Sequence, residues 1–105
     1  MTETRTPTPV STRMAGIAKG QGWEDNTHYG DTDYGLGQEF EQGKYRITLD
    51  WGPDGRHGVS EDLRGISVLD TSTRPLVKTV FHVEGRNQDH MRAAVVEALY
   101  YYAVD

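Results

Sequence analysis

Residues 44–51, with the sequence Lys-Tyr-Arg-Ile-Thr-Leu-Asp-Trp, alternate polar and apolar side chains without interruption. Because successive side chains of a β-strand point to opposite faces, this alternation predicts a strand with one buried face and one face in water. Turn-forming residues 52–55, Gly-Pro-Asp-Gly, follow directly and end the strand. The side chains expected to face the core are Tyr45, Ile47, Leu49 and Trp51.

Further strands are predicted on the C-terminal side of this one. Residues 65–69 form a short strand centred on Ile66 and Val68, and residues 76–84 form another. Pairing between neighbours in the chain makes these three strands an antiparallel meander. A fourth strand fits residues 36–41, whereas residues 56–64 are polar and predict a loop or a poorly formed edge strand. The face of the strand at 76–84 that is expected to point to the core carries Val77, Thr79, Phe81 and Val83.

Two helices flank the strands in the sequence. Asn87 is a good N-cap for a C-terminal helix, and apolar residues follow it at helical spacing. A short N-terminal helix is expected to begin near Ser11 or Thr12 and to end at Gly20 and Gly22. The core-facing stripe of the C-terminal helix is Met91, Val95, Ala98, Leu99 and Tyr102.

These elements predict a single small α+β domain at residues 11–105, with an antiparallel sheet of three or four strands. The C-terminal helix is expected to pack on one face of that sheet. Residues 1–10, where Pro7 and Pro9 alternate with threonine, predict a disordered tail. No run of about 18 apolar residues is present, so we expect no membrane contact and a cytoplasmic protein.

Chemistry for catalysis is sparse in this sequence. The chain has no cysteine, and no serine has an obvious histidine partner. His28, Asp31 and Asp33 form a close group of metal-ligand types, but position twelve of a calcium loop would be Gln42 instead of a bidentate glutamate. We therefore expect no enzyme activity, no metal and no cofactor. A carboxylate site for two metal ions would require Asp50, Asp70 and Glu97 to meet.

Charge is unevenly distributed along the chain. The net charge is −5, and residues 20–43 contain six carboxylates but no lysine or arginine. A surface of one sign with aromatic side chains between the charges is a candidate recognition surface for a partner of opposite charge. The residues predicted to bind a partner are Trp23, Glu24, Asp25, Tyr29, Asp31, Asp33, Tyr34, Glu39 and Glu41.

The acidic segment favours a protein partner over a nucleic acid. A helix, three strands and a helix is also the element order of the double-stranded-RNA-binding domain. That domain grips phosphates with lysines at the start of its last helix, where this chain has Asn87, Gln88, Asp89 and His90. Direct nucleic-acid binding is therefore not expected.

A non-enzymatic binding protein is the function that these observations favour. Carboxylates along the segment 23–41 can take the place of a phosphate backbone on a basic, nucleic-acid-handling protein. In size, charge and lack of catalytic groups the chain resembles the small acidic inhibitors, nucleic-acid mimics among them, that phages and other mobile elements encode. An alternative is a homodimeric structural or accessory protein that associates through its tyrosine-rich C-terminal helix. The interface of that dimer would contain Val96, Tyr100, Tyr101 and Val104.

Overall fold

Five strands and two helices make up the computed structural model, which describes residues 9–27, 36–53, 59–72 and 76–103. The strands form one antiparallel sheet in the order β1-β2-β3-β4-β5, so each strand pairs with its neighbour in the sequence. The α+β class and the antiparallel sheet are confirmed, with one strand more than predicted. The elements are α1 (Pro9–Gly20), β1 (Glu24–Asp25), β2 (Leu36–Gln42), β3 (Tyr45–Pro53), β4 (Val59–Asp70), β5 (Lys78–Glu84) and α2 (Gln88–Tyr101).

One face of the sheet builds the hydrophobic core. Residues directly opposite each other on antiparallel strands share a face, and the apolar residues line up in cross-strand rows. One such row joins Phe40, Ile47, Val68 and Phe81. Buried residues of both helices belong to the same cluster as these strands: Met14, Ala15, Ala18, Met91, Ala94, Val95, Ala98 and Leu99.

The alternation that predicted β3 is confirmed by burial. Ile47, Leu49 and Trp51 are each at most 1 % exposed, and Tyr45 is half-buried. A buried amide lies beside them on the same face. The side chain of Gln38 accepts a hydrogen bond from Trp51 Nε1 at 2.6 Å and donates one to the Ser11 carbonyl at 2.9 Å. These bonds satisfy polar groups in the core and join β2, β3 and α1.

Irregular pairing makes β4 and β5 differ from the prediction. The prediction of a loop or a poorly formed edge strand is wrong for residues 59–64. Strand β4 begins at Val59 and lies between β3 and β5 in the sheet. The register of β3 against β4 shifts so that Arg64 is an extra residue in β4, and Val80 is a similar extra residue in β5. The shift at Val80 also corrects the predicted core face of β5. Val80 packs against the core, while Thr79 is exposed and Val77 is 47 % exposed.

Helix α1 begins before the predicted start near Ser11 or Thr12. Pro9 opens it, since a proline in the first turn needs no backbone donor and has a suitable φ angle. The predicted N-cap Ser11 is instead a fully buried residue inside the helix. The expected end at Gly20 and Gly22 is confirmed, since the helix ends at Gly20 and Gly22, with φ +88°, lies in the Schellman turn that follows. Residues 1–8 of the predicted tail lie outside the described residues.

Helix α2 follows the sequence pattern closely. The side chain of Asn87 accepts a hydrogen bond from the His90 backbone N–H at 3.1 Å, which confirms the predicted N-cap. Gln88 then fixes the start of the helix to β4: its amide accepts from the Leu63 N–H at 2.6 Å and donates to the Leu63 carbonyl at 3.0 Å. Within the described segments neither helix has the length and the apolar character needed to cross a bilayer.

Candidate functional site

The face of the sheet opposite the core, which we call the open face, is polar. Side chains on this face also stand in cross-strand rows. The buried residues of the two described helices belong to the core on the other face, so neither helix covers the open face with its apolar side. The rows of the open face are Gly37, Asp50, Gly65 and Glu84; then Glu39, Thr48, Ser67 and His82; then Glu41, Arg46, Leu69 and Thr79, with Glu24 of β1 opposite Glu41.

Negative charge dominates the open face. In the rows given above and the extra residue Arg64, carboxylates outnumber guanidinium groups by five to two. A sheet face of one predominant sign creates a potential that attracts molecules of the opposite sign. The carboxylates are Glu24, Glu39, Glu41, Asp50 and Glu84, and the guanidinium groups are those of Arg46 and Arg64.

Arg46 partly neutralises one side of this face. Its Nε lies 2.9 Å from Glu41 Oε1 and 3.4 Å from Glu39 Oε1, and all three side chains are more than a third exposed. Ion pairs this open to water contribute about 0–1 kcal/mol each. Arg46 therefore orients two carboxylates without cancelling the charge of the face.

A hydrogen-bonded group crosses β4 and β5. Ser67 Oγ lies 2.7 Å from His82 Nδ1, and His82 Nε2 lies 2.9 Å from Glu84 Oε1. This corrects the expectation that no serine has a histidine partner, because the two residues meet only through the register of the strands. The His82 side chain is 47 % exposed and that of Glu84 is 73 % exposed, so water reaches the whole group.

A groove of about 520 Å³ lies on the open face beside this group. Gly37 and Gly65 stand on either side of Asp50 in one row, so the floor of the groove has no side chain at two positions. Arg64 lines one end of the groove, where its side chain lies directly over Gly52. The extra residue in β4 permits this placement, since a β-bulge changes the direction of the side chains next to it.

The predicted partner-binding residues are divided between three places. Glu24, Glu39 and Glu41 lie on the open face. Asp25 lies opposite Phe40, is half-buried and accepts a hydrogen bond from the Thr27 N–H at 3.0 Å. The remaining acidic and aromatic members, Tyr29, Asp31, Asp33 and Tyr34, lie outside the described residues.

Trp23 is a core residue and does not form part of an exposed strip. Its side chain is only 3 % exposed, and its Nε1 donates to the Leu99 carbonyl at 2.9 Å. The backbone N–H of Trp23 donates to Ala18 in the turn that ends α1. The last carbonyls of a helix have no hydrogen-bond donor within the helix. The indole N–H of Trp23 supplies a donor to one of these carbonyls at the C-terminal end of α2.

The C-terminal part of α2 presents a second surface. Tyr100 is 57 % exposed and Tyr101 is 77 % exposed, whereas Val96 is half-buried against the core. Val104 lies outside the described residues. A cavity of about 190 Å³ lies between α2 and β5, and the rings of Tyr101 and Tyr102 are 4.8 Å apart beside it. We call this surface the aromatic end; its residues are Phe81, Tyr100, Tyr101 and Tyr102.

Tyr102 is the anchor of the aromatic end. Its ring meets that of Tyr45 edge to face, with centroids 4.8 Å apart. Burial raises the pKa of the Tyr102 phenol, and the neighbouring Tyr101 and Tyr45 raise it further. The phenol therefore stays neutral to a higher pH than a free tyrosine.

The carboxylates that could have formed a two-metal site do not come together. Asp50 lies on the open face, Asp70 lies opposite Tyr45, and Glu97 lies on α2. Hydrogen bonds from the hydroxyl and the N–H of Ser72 lower the pKa of Asp70. No group of three or more metal-ligating side chains occurs among the described residues.

No protein-family model, curated protein or solved structure matches the chain. Function is therefore inferred from the open face and the aromatic end.

Proposed function

We propose that this protein binds a basic partner protein through the open face of its sheet and performs no catalysis. The observation that carries the proposal is the charge of that face, where the cross-strand rows and Arg64 contain five carboxylates and two guanidinium groups. Proteins that handle nucleic acids carry basic surfaces for phosphates, and such surfaces also attract carboxylates. Occupation of such a surface would inhibit the partner by competition with its nucleic acid.

The burial of Trp23 changes how this binding would work. With its largest candidate anchor in the core, the described part of the site offers charge and hydrogen bonds instead of aromatic anchors. Charged surfaces of this kind accelerate association, and their attraction is weakened by salt. We therefore expect fast, salt-sensitive binding.

The test is an affinity capture from cell lysate that compares two variants of equal net charge. The first variant, Glu24→Gln with Glu41→Gln, removes two charges from the open face. The second, Asp89→Asn with Glu97→Gln, removes two charges from α2 and serves as the control. Both change the net charge from −5 to −3.

The proposal predicts that a partner retained by the wild type is retained by the control but lost by the open-face variant. Retention should also fall as salt is raised from about 50 mM to about 500 mM, because the Debye length shortens from more than 10 Å to less than 8 Å. Equal retention by the two variants, or no retained partner at all, would contradict the proposal. Circular dichroism of each variant checks that the fold is intact.

A second candidate function is self-association through the aromatic end. The exposure of Tyr100 and Tyr101 favours it, since solvent-exposed aromatic side chains next to a cavity are typical of interaction surfaces. Sedimentation velocity should then show a dimer for the wild type and a monomer for Tyr101→Arg. A monomeric wild type, or a dimer unaffected by Tyr101→Arg, would exclude this candidate.

A further inference from the structure

We propose that the groove on the open face receives one arginine side chain of the basic partner. This inference rests on the proposed function and adds to it a defined subsite and a defined chemical group. The groove differs from the rest of the open face because it combines a depression, a bare backbone floor and hydrogen-bonding walls.

The floor of the groove suits a flat group. Gly37 and Gly65 flank Asp50 in their row, so neither position beside its carboxylate carries a side chain. A methyl group built on Gly37 would meet no atom within 4 Å, which shows how much space lies above it. A planar guanidinium can lie against such a floor more closely than a tetrahedral ammonium can.

The walls of the groove supply acceptors for the donors of a guanidinium. Asp50 and Glu84 stand in the same row on either side of Gly65, which places their Cα atoms about 10 Å apart across two strand spacings. The carboxylate of Asp50 forms no hydrogen bond or ion pair with another described residue. Glu84 is bonded through Oε1 to His82, which leaves its other oxygen free to accept. The five N–H donors of an arginine can serve acceptors in several directions at once.

One cation already lines the groove, so its lining contains two carboxylates and one guanidinium. The guanidinium of Arg64 lies over Gly52 of β3, and it forms no ion pair with Asp50. An anionic ligand such as a phosphate would meet Asp50 and Glu84 at close range and would be repelled. The charges of the walls therefore select a cation, and the floor favours a planar one.

The experiment is a titration followed by amide chemical shifts, with N-acetyl-arginine amide as the probe. The control ligand is N-acetyl-citrulline amide, which has nearly the same shape but no charge. We expect saturable shifts at Gly65 and Ser67 with the arginine probe and none with citrulline. The decisive variant is Gly37→Val, which fills the floor and leaves every charge in place, and it should weaken binding at least about tenfold, equivalent to about 1.4 kcal/mol. Asp50→Asn is a second variant that leaves the volume unchanged, and we expect a similar loss.

The outcomes separate this inference from the proposed function. If Gly37→Val binds the probe as well as the wild type does, or if shifts are spread evenly over the open face, the groove is not a subsite and the inference is overturned. Capture of a partner through Glu24 and Glu41 would still stand in that case. If the groove binds the arginine probe but no partner is captured, the subsite is supported and the proposed function fails. The melting temperature of each variant checks that a lost signal is not lost structure.

Discussion

Replacement of Gln38 by methionine should strongly destabilise the fold, because it removes a hydrogen-bonded amide from the core. Gln38 is 1 % exposed, and its amide connects Trp51 Nε1 to the Ser11 carbonyl through hydrogen bonds of 2.6 and 2.9 Å. Methionine has a similar length but offers no strong acceptor and no donor. The indole N–H of Trp51 would then remain buried without a partner.

The magnitude of this effect follows from the two lost bonds. A buried donor left unsatisfied costs about 1–3 kcal/mol, and the lost bond to Ser11 removes a further 0.5–1.5 kcal/mol or so. Gln38→Met should therefore lower the free energy of unfolding by about 2–4 kcal/mol, a large part of the roughly 5–15 kcal/mol typical of a domain. Urea unfolding followed by far-ultraviolet circular dichroism measures it directly.

A double-mutant cycle tests whether the unpaired indole of Trp51 causes the loss of stability. Trp51→Phe removes the donor that Gln38→Met would leave unpaired. In the Trp51→Phe background, Gln38→Met should lower the free energy of unfolding by only about 1 kcal/mol, because only the hydrogen bond to Ser11 is then lost. Either of two results would show that the buried amide does not stabilise the core through these bonds. One is that Gln38→Met lowers the free energy of unfolding equally with and without Trp51, and the other is that it does so by less than about 1 kcal/mol in the wild type.

Three further substitutions test separate contacts. Trp23→Phe keeps an aromatic ring in the core but leaves the Leu99 carbonyl unpaired, and chemical unfolding should show a loss of about 1–2 kcal/mol. Gly22→Ala places a side chain at φ +88°, so the melting temperature should fall by an amount equivalent to about 1–2 kcal/mol. Because the folded state raises the pKa of Tyr102, its neutral phenol contributes stability below about pH 10 that is lost as the pH rises through the folded pKa. Thermal melts between about pH 9 and 11 should thus show a smaller loss of stability for Tyr102→Phe than for the wild type.

Patterns that repeat within one element predicted that element well. The alternation in residues 44–51 identified the buried face of β3, and the spacing after Asn87 identified the buried stripe of α2. Where a strand contains an extra residue, the alternation changes phase at that point, as it does at Arg64 and Val80. A two-residue strand such as β1 has no period at all. The sequence therefore could not predict these features.

The open face was only partly predictable for a related reason. Glu24, Glu39 and Glu41 were visible as a charged segment, but Asp50 and Glu84 join them only because of the register between strands. The pairing of Ser67 with His82 across β4 and β5 depends on the same register. Trp23 was misplaced because its acidic neighbours in the sequence suggested a surface position, whereas the turn that ends α1 directs its ring inward.

The contact between Trp23 and Leu99 has a consequence for how the chain folds. Every strand pairs with its neighbour in sequence, so the sheet can grow by closing one short hairpin after another. The Trp23–Leu99 bond, by contrast, joins residues 76 positions apart in a chain of 105 and closes a long loop that contains the whole sheet. Because closing a long loop has the larger entropic cost, we expect the hairpins to form first and α1 to dock against α2 last. Mutations at Trp23 should then accelerate unfolding and leave the folding rate almost unchanged.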